Sequence, residues 1–112
     1  VLDLDADGEE QTGWNLLYLH IGADALVQEG QLVEQGDLIG HPSCEGGVAT
    51  GTHVHLARKY NGEWILADGP LPFTLSGWVV QAGSKPYQGA LIKGDQVVIA
   101  CTCASQETNI SR

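Results

Sequence analysis

The chain has 112 residues, 43% of them apolar and 17% charged, and carries a net charge of −9 from 14 acidic and 5 basic residues. That size suits one domain with a modest core, and no apolar run approaches the ~18 residues of a membrane span. The basic residues are scattered, with only Arg58 and Lys59 adjacent, so nothing is present to neutralise the phosphates of nucleic acid or an anionic membrane.

Val1 opens directly on β-type sequence, "VLDLD", as expected of a processed product or a fragment. Asp3-x-Asp5-x-Asp7-Gly8 follows, which matches the start of a calcium loop, where alternate carboxylates converge and glycine permits the turn. The twelfth position is Trp14 rather than a bidentate Glu, and no helices flank the segment. An acidic turn between two strands is therefore the first expectation, with Ca2+ held by Asp3, Asp5 and Asp7 the second. Short β-type runs then succeed one another: "WNLLYLHIG", "QLVEQ", "DLIGH", "THVHLARKY", "EWILA", "GWVVQA", "GALIKG" and "DQVVIACT". Turn pairs separate them, and no stretch holds a 3.6-residue apolar period for more than about two turns. Asn61-Gly62 between "THVHLARKY" and "EWILA" predicts a type I′ hairpin.

The expected fold is mainly β, a small antiparallel sheet or sandwich-like core over residues 1–70. The prolines of "DGPLPF" end that body, and residues 71–112 form a β-rich extension with a loose polar tail. Cys101 and Cys103 on one strand would share a face in a geometry awkward for bridging, so Cys44 paired with one of them is the expected disulfide. Trp14, Trp64 and Trp78 are expected to fill the core, although an exposed one would suit a glycan groove. A Cys44 nucleophile with His41 has no visible activating group, and a disulfide or buried thiol is the simpler state.

His53 and His55 are separated by one residue on a predicted strand and should share a face. Two imidazoles on one face suit metal binding or proton transfer, but a zinc site needs three or four ligands. His20 ends the apolar run "LLYLH", where a buried ring must find a partner. His41, in the loop "GHPSC", is a weaker ligand candidate.

Taken in order, Tyr18-x-His20, then Val33, Gly36, Asp37, Ile39 and Gly40, then Thr50-Gly51 leading into His53-x-His55 form a recognisable succession. This order resembles the lysostaphin/LytM-type zinc endopeptidases, which cut peptide cross-links in bacterial cell walls. The resemblance covers roughly residues 14–66, about half of the chain. It implies that His55 is a Zn2+ ligand and that His20 and His53 are catalytic, flanking the metal-bound water. It further implies a peptidoglycan peptide as substrate and an extracellular or cell-envelope location. The family's upstream His-x-x-x-Asp motif has no counterpart before His20, where there is no histidine. A literal His-x-x-x-Asp occurs at His20 and Asp24, but its context matches the later motif. The resemblance thus implies a site completed by a preceding segment or a second chain. The alternative is a catalytically inactive relative that binds cell wall or a protein. A lipoyl- or biotinyl-like carrier, suggested by "LVEQGDLIG", lacks a lysine at the hairpin tip and ranks lower.

Overall fold

The structure, a computed structural model, describes residues 1–103 and 105–112. Its strands are β1 Leu2–Asp3, β2 Trp14–Leu19, β3 His55–Tyr60 and β4 Glu63–Ile65, then β5 Thr74–Leu75, β6 Trp78–Ala82, β7 Gly89–Lys93 and β8 Gln96–Ile99. They make two four-stranded sheets, ordered β1-β2-β3-β4 and β5-β6-β7-β8, with every neighbour antiparallel. The mainly β expectation is borne out. The chain divides into two units, Val1–Ile65 and Leu66–Arg112, each holding one sheet. Among the described residues no helix is long and apolar enough to cross a membrane.

In the first unit the "NG" hairpin forms as its residues dictate. Asn61 and Gly62 have φ of +49° and +79°, the left-handed pair that a type I′ turn requires, and Tyr60 pairs with Glu63 across it. Register sets two rows across all four strands. Asp3, Asn15, Lys59 and Trp64 lie in one, and Leu2, Leu16, Arg58 and Ile65 in the next, on the opposite face. Trp14 and Tyr60 pair on the face that carries Arg58, with ring centroids 4.9 Å apart and the guanidinium 5.6 Å from the Trp14 ring.

"QLVEQ" and "DLIGH" form no strand, contrary to expectation. Residues 26–40 turn back repeatedly instead, with Gln31 N–H donating to Gln28 O, Asp37 N–H to Glu34 O, and Val27 N–H to Ile39 O. A strand needs a ladder partner along its length; here tight turns consume the same backbone groups, and Leu32 and Leu38 stay exposed.

In the second unit Trp78 is the buried apolar residue, 3% exposed, and its Nε1 donates to Ser111 O at 2.8 Å. Lys93 Nζ donates to the same carbonyl at 3.3 Å. The tail expected to be loose is therefore tied back to the sheet and holds a 3-10 turn at Gln106–Thr108; Ala104 within it lies outside the described residues. Of the three tryptophans expected in a core, Trp78 is buried, Trp14 is half-buried, and Trp64 is 58% exposed.

The disulfide joins Cys101 to Cys103, and Cys44 is a free, exposed thiol. The expected Cys44 bridge is thus replaced. The reason is that β8 ends at Ile99, so the two cysteines sit in a bend with Cα atoms 5.2 Å apart. An extended strand would hold them about 6.6 Å apart.

Candidate functional site: a histidine pair beyond two paired strands

His20 follows directly on β2 and breaks it, with φ at +62°. A side chain in that left-handed region costs about 1 kcal/mol, and the surrounding loop holds it there. Ser43 N–H donates to His20 O at 2.7 Å, Gly22 N–H donates to His41 O at 2.9 Å, and Ile21 bridges Pro42. The ring is buried, 7% exposed, with Nδ1 at 2.8 Å from Glu45 O. Gly47 passes its edge closely enough that a Cβ there would sit 3.4 Å from His20 Cε1.

His53 arrives from the other direction. It precedes β3, is bridged to Ser43, and places Nδ1 at 2.7 Å from Gly51 O. Its ring meets that of His20 with centroids 4.5 Å apart, tilted by 47°. A carbonyl oxygen only accepts, so each Nδ1 carries a proton in this arrangement. The two imidazoles are thus each oriented by a backbone carbonyl and in contact with one another.

His55 begins β3, opposite Leu19, and is exposed. Lys59 shares its face of the sheet by strand alternation. The expectation of a continuous His-x-His strand is modified, since His53 lies outside the ladder that starts at His55.

Asp24 Oδ2 pairs with His41 Nε2 at 3.0 Å, and both side chains are well exposed. The literal His-x-x-x-Asp is therefore split: His20 turns to Glu45 and Asp24 to His41. An exposed pair of this kind contributes little stability. Glu45 was not foreseen; its carbonyl orients His20 and its Oε2 accepts from Ala23 N–H at 3.0 Å. Any residue type supplies a carbonyl, so the sequence carries no signal for that role.

Asp3, Asp5 and Asp7 do converge, with one ligand atom from each lying within 4.8 Å of the others. Local turns engage these carboxylates. Asp3 accepts from Asp5 N–H at 3.2 Å and Gly8 N–H at 2.8 Å, and Asp7 accepts from Glu9 N–H at 2.8 Å and from the Thr12 hydroxyl. The Gly8 N–H, then a hydrogen bond with the Asp5 side chain, holds the Asp3 carboxyl below its usual range. The same Asp3 bond, with burial and the Asp7 charge, raises Asp5. The exposed cluster could thus hold a metal ion, as the spacing suggested, while its carboxylates also serve the hydrogen bonds of the turn.

Among the described residues no histidine belongs to a group of three or more His, Cys, Asp or Glu side chains converging on one point. A catalytic zinc takes three protein ligands, so the residues present do not fit a complete zinc site; they offer His55 toward one. No protein family, curated protein or solved structure matches this chain.

Proposed function

We propose that this chain carries the proton-transfer part of a zinc-dependent peptidoglycan endopeptidase site of the lysostaphin/LytM type, acting in the cell envelope or outside the cell. The observation that supports it most is the His20–His53 contact. Residues far apart in sequence bring two imidazoles together, each with Nδ1 on a backbone carbonyl, in the order of the motifs that carry the resemblance. In this reading His53 and His20 accept the proton of the attacking water and return it to the leaving amine. Imidazole is the side chain suited to that exchange near neutral pH. His55 would contribute one nitrogen to Zn2+, and the remaining ligands would have to come from a preceding segment or a second chain. A zinc ion held there would supply Lewis-acid chemistry, toward a carbonyl and a bound water.

Metal content and hydrolysis of cross-linked peptidoglycan, measured on the whole natural protein, test the reading. Zinc is expected at about one per site, lost in His55→Ala. His20→Ala and His53→Ala are expected to keep the metal and lose about 10²–10⁴-fold in turnover. A protein that binds peptidoglycan, holds no zinc after reconstitution and cuts nothing would be the inactive relative, and the peptidase assignment would fall.

A further inference from the structure

The second unit carries a sulfur pair that the proposed peptidase chemistry does not use. The Cys101–Cys103 bridge spans a single residue, so it ties no distant elements together and restricts the unfolded chain little. Both cysteines are exposed, and exposed disulfides are the readily reduced ones. Cys103 N–H donates to Cys101 Sγ at 3.3 Å. A donor on that sulfur favours its thiolate, which makes Cys101 the better leaving group when the bridge is attacked.

Both cysteines also line a depression of about 510 Å3 in the second unit. Its walls follow from register. Val80, Leu91 and Val98 form one cross-strand row, and Ala82, Gly89 and Ala100 form a second row on the same face. Side chains of one methyl or none thus stand beside three branched ones, and the cysteines follow where β8 ends. Among the described residues no charged side chain lines the depression. An apolar group next to an incoming thiol gains by burial there, whereas a charged one loses hydration without finding a partner.

We propose that Cys101–Cys103 is a redox-active disulfide that oxidises dithiols, its substrate being a cysteine pair of a polypeptide with an apolar residue beside the attacking cysteine. A substrate thiolate attacks Cys103 Sγ and forms a mixed disulfide there. The bond between the two protein sulfurs breaks, and Cys101 leaves as the thiolate that Cys103 N–H stabilises. The second substrate thiolate then attacks the substrate sulfur of the mixed disulfide and releases Cys103. The substrate loses two electrons and two protons and becomes a disulfide. The electrons reduce the bridge, and the protons end on Cys101 and Cys103 as thiols. The assignment does not rest on the peptidase reading, because every group in it lies within Leu66–Arg112.

The probes are two reduced peptides with blocked termini, uncharged and carrying two cysteines each. One has leucine and the other serine beside the first cysteine. Each is mixed with the whole chain in its disulfide form, and acid-quenched samples are alkylated and counted for thiols by mass spectrometry. Alkylated protein thiols should rise from one, Cys44, to three as each molecule makes one peptide disulfide. The leucine peptide should react about tenfold faster than the serine peptide. Ala82→Asp, at an exposed position of the depression, should bring the ratio of the two rates to about one. Replacing both bridge cysteines by serine should abolish peptide oxidation; if that variant fails to fold, the rate ratio on the natural chain decides. A bridge that stays closed under excess peptide, or equal rates for the two peptides on the natural chain, would overturn the assignment and leave the bridge a local brace.

Discussion

His20 shows how one residue can be legible in type and illegible in role. Its place at the end of "LLYLH" marks it as a candidate, but its ring geometry depends on a left-handed backbone and on the carbonyl of Glu45, 25 residues further on. The acidic turn permits a prediction at the same scale. Asp3 is held low by Gly8 N–H and by Asp5, so its stabilising contribution is present above the unfolded carboxyl pKa and is lost as pH falls through its own lower value. Asp5 is raised by the bond to Asp3, so its contribution is present below the unfolded pKa and is lost as pH rises through its higher value. Carboxyl 13C shifts followed from pH 7 downward should therefore show Asp5 taking up its proton before Asp3, and Asp5→Asn should remove the upper step. Simultaneous titration of the two would mean that the shared hydrogen bond does not form in solution.

At the scale of elements, hairpins were the legible part. The two-residue Asn61-Gly62 turn needs left-handed φ at both positions, a local demand that these residues meet. Residues 26–40 were not legible as irregular structure, because "QLVEQ" and "DLIGH" have strand composition and lack only a partner. The disulfide failed as an expectation for a related reason: the end of β8 at Ile99, not the spacing of the cysteines, decides whether 101 and 103 can meet. Closing so short a loop restricts the unfolded chain little, about 1.5 kcal/mol against about 3 for a fifteen-residue loop. Reduction should thus lower thermal stability only slightly. Alkylation of the native protein should label one thiol, Cys44, before reduction and three after it. Extensive unfolding on reduction would point to a bridge between distant elements instead.

For the whole molecule the dominant quantities are a net charge of −9 and a large exposed apolar surface, including Leu32, Leu38, Val48 and Leu66. Like charge opposes association between copies while exposed side chains favour it. Salt shortens the Debye length from about 10 Å at 0.1 M to about 3 Å at 1 M. Sedimentation velocity should accordingly show self-association rising with sodium chloride concentration. A weight-average mass independent of salt would show that the apolar residues are too dispersed to act together.

By itself the sequence determined the β class, the turn that joins β3 to β4, and the side chains able to do chemistry: His20, His53, His55 and the three aspartates. Each of these follows from near neighbours, through strand alternation, turn preference or motif spacing. Only the tertiary structure decided that His20 and His53 touch, that Asp24 turns to His41, that Cys44 stays free, and that Asn15, Lys59 and Trp64 form one row. Those outcomes depend on cross-strand register and on backbone carbonyls. A carbonyl is chemically alike at every residue, and register is set by partners distant in the chain.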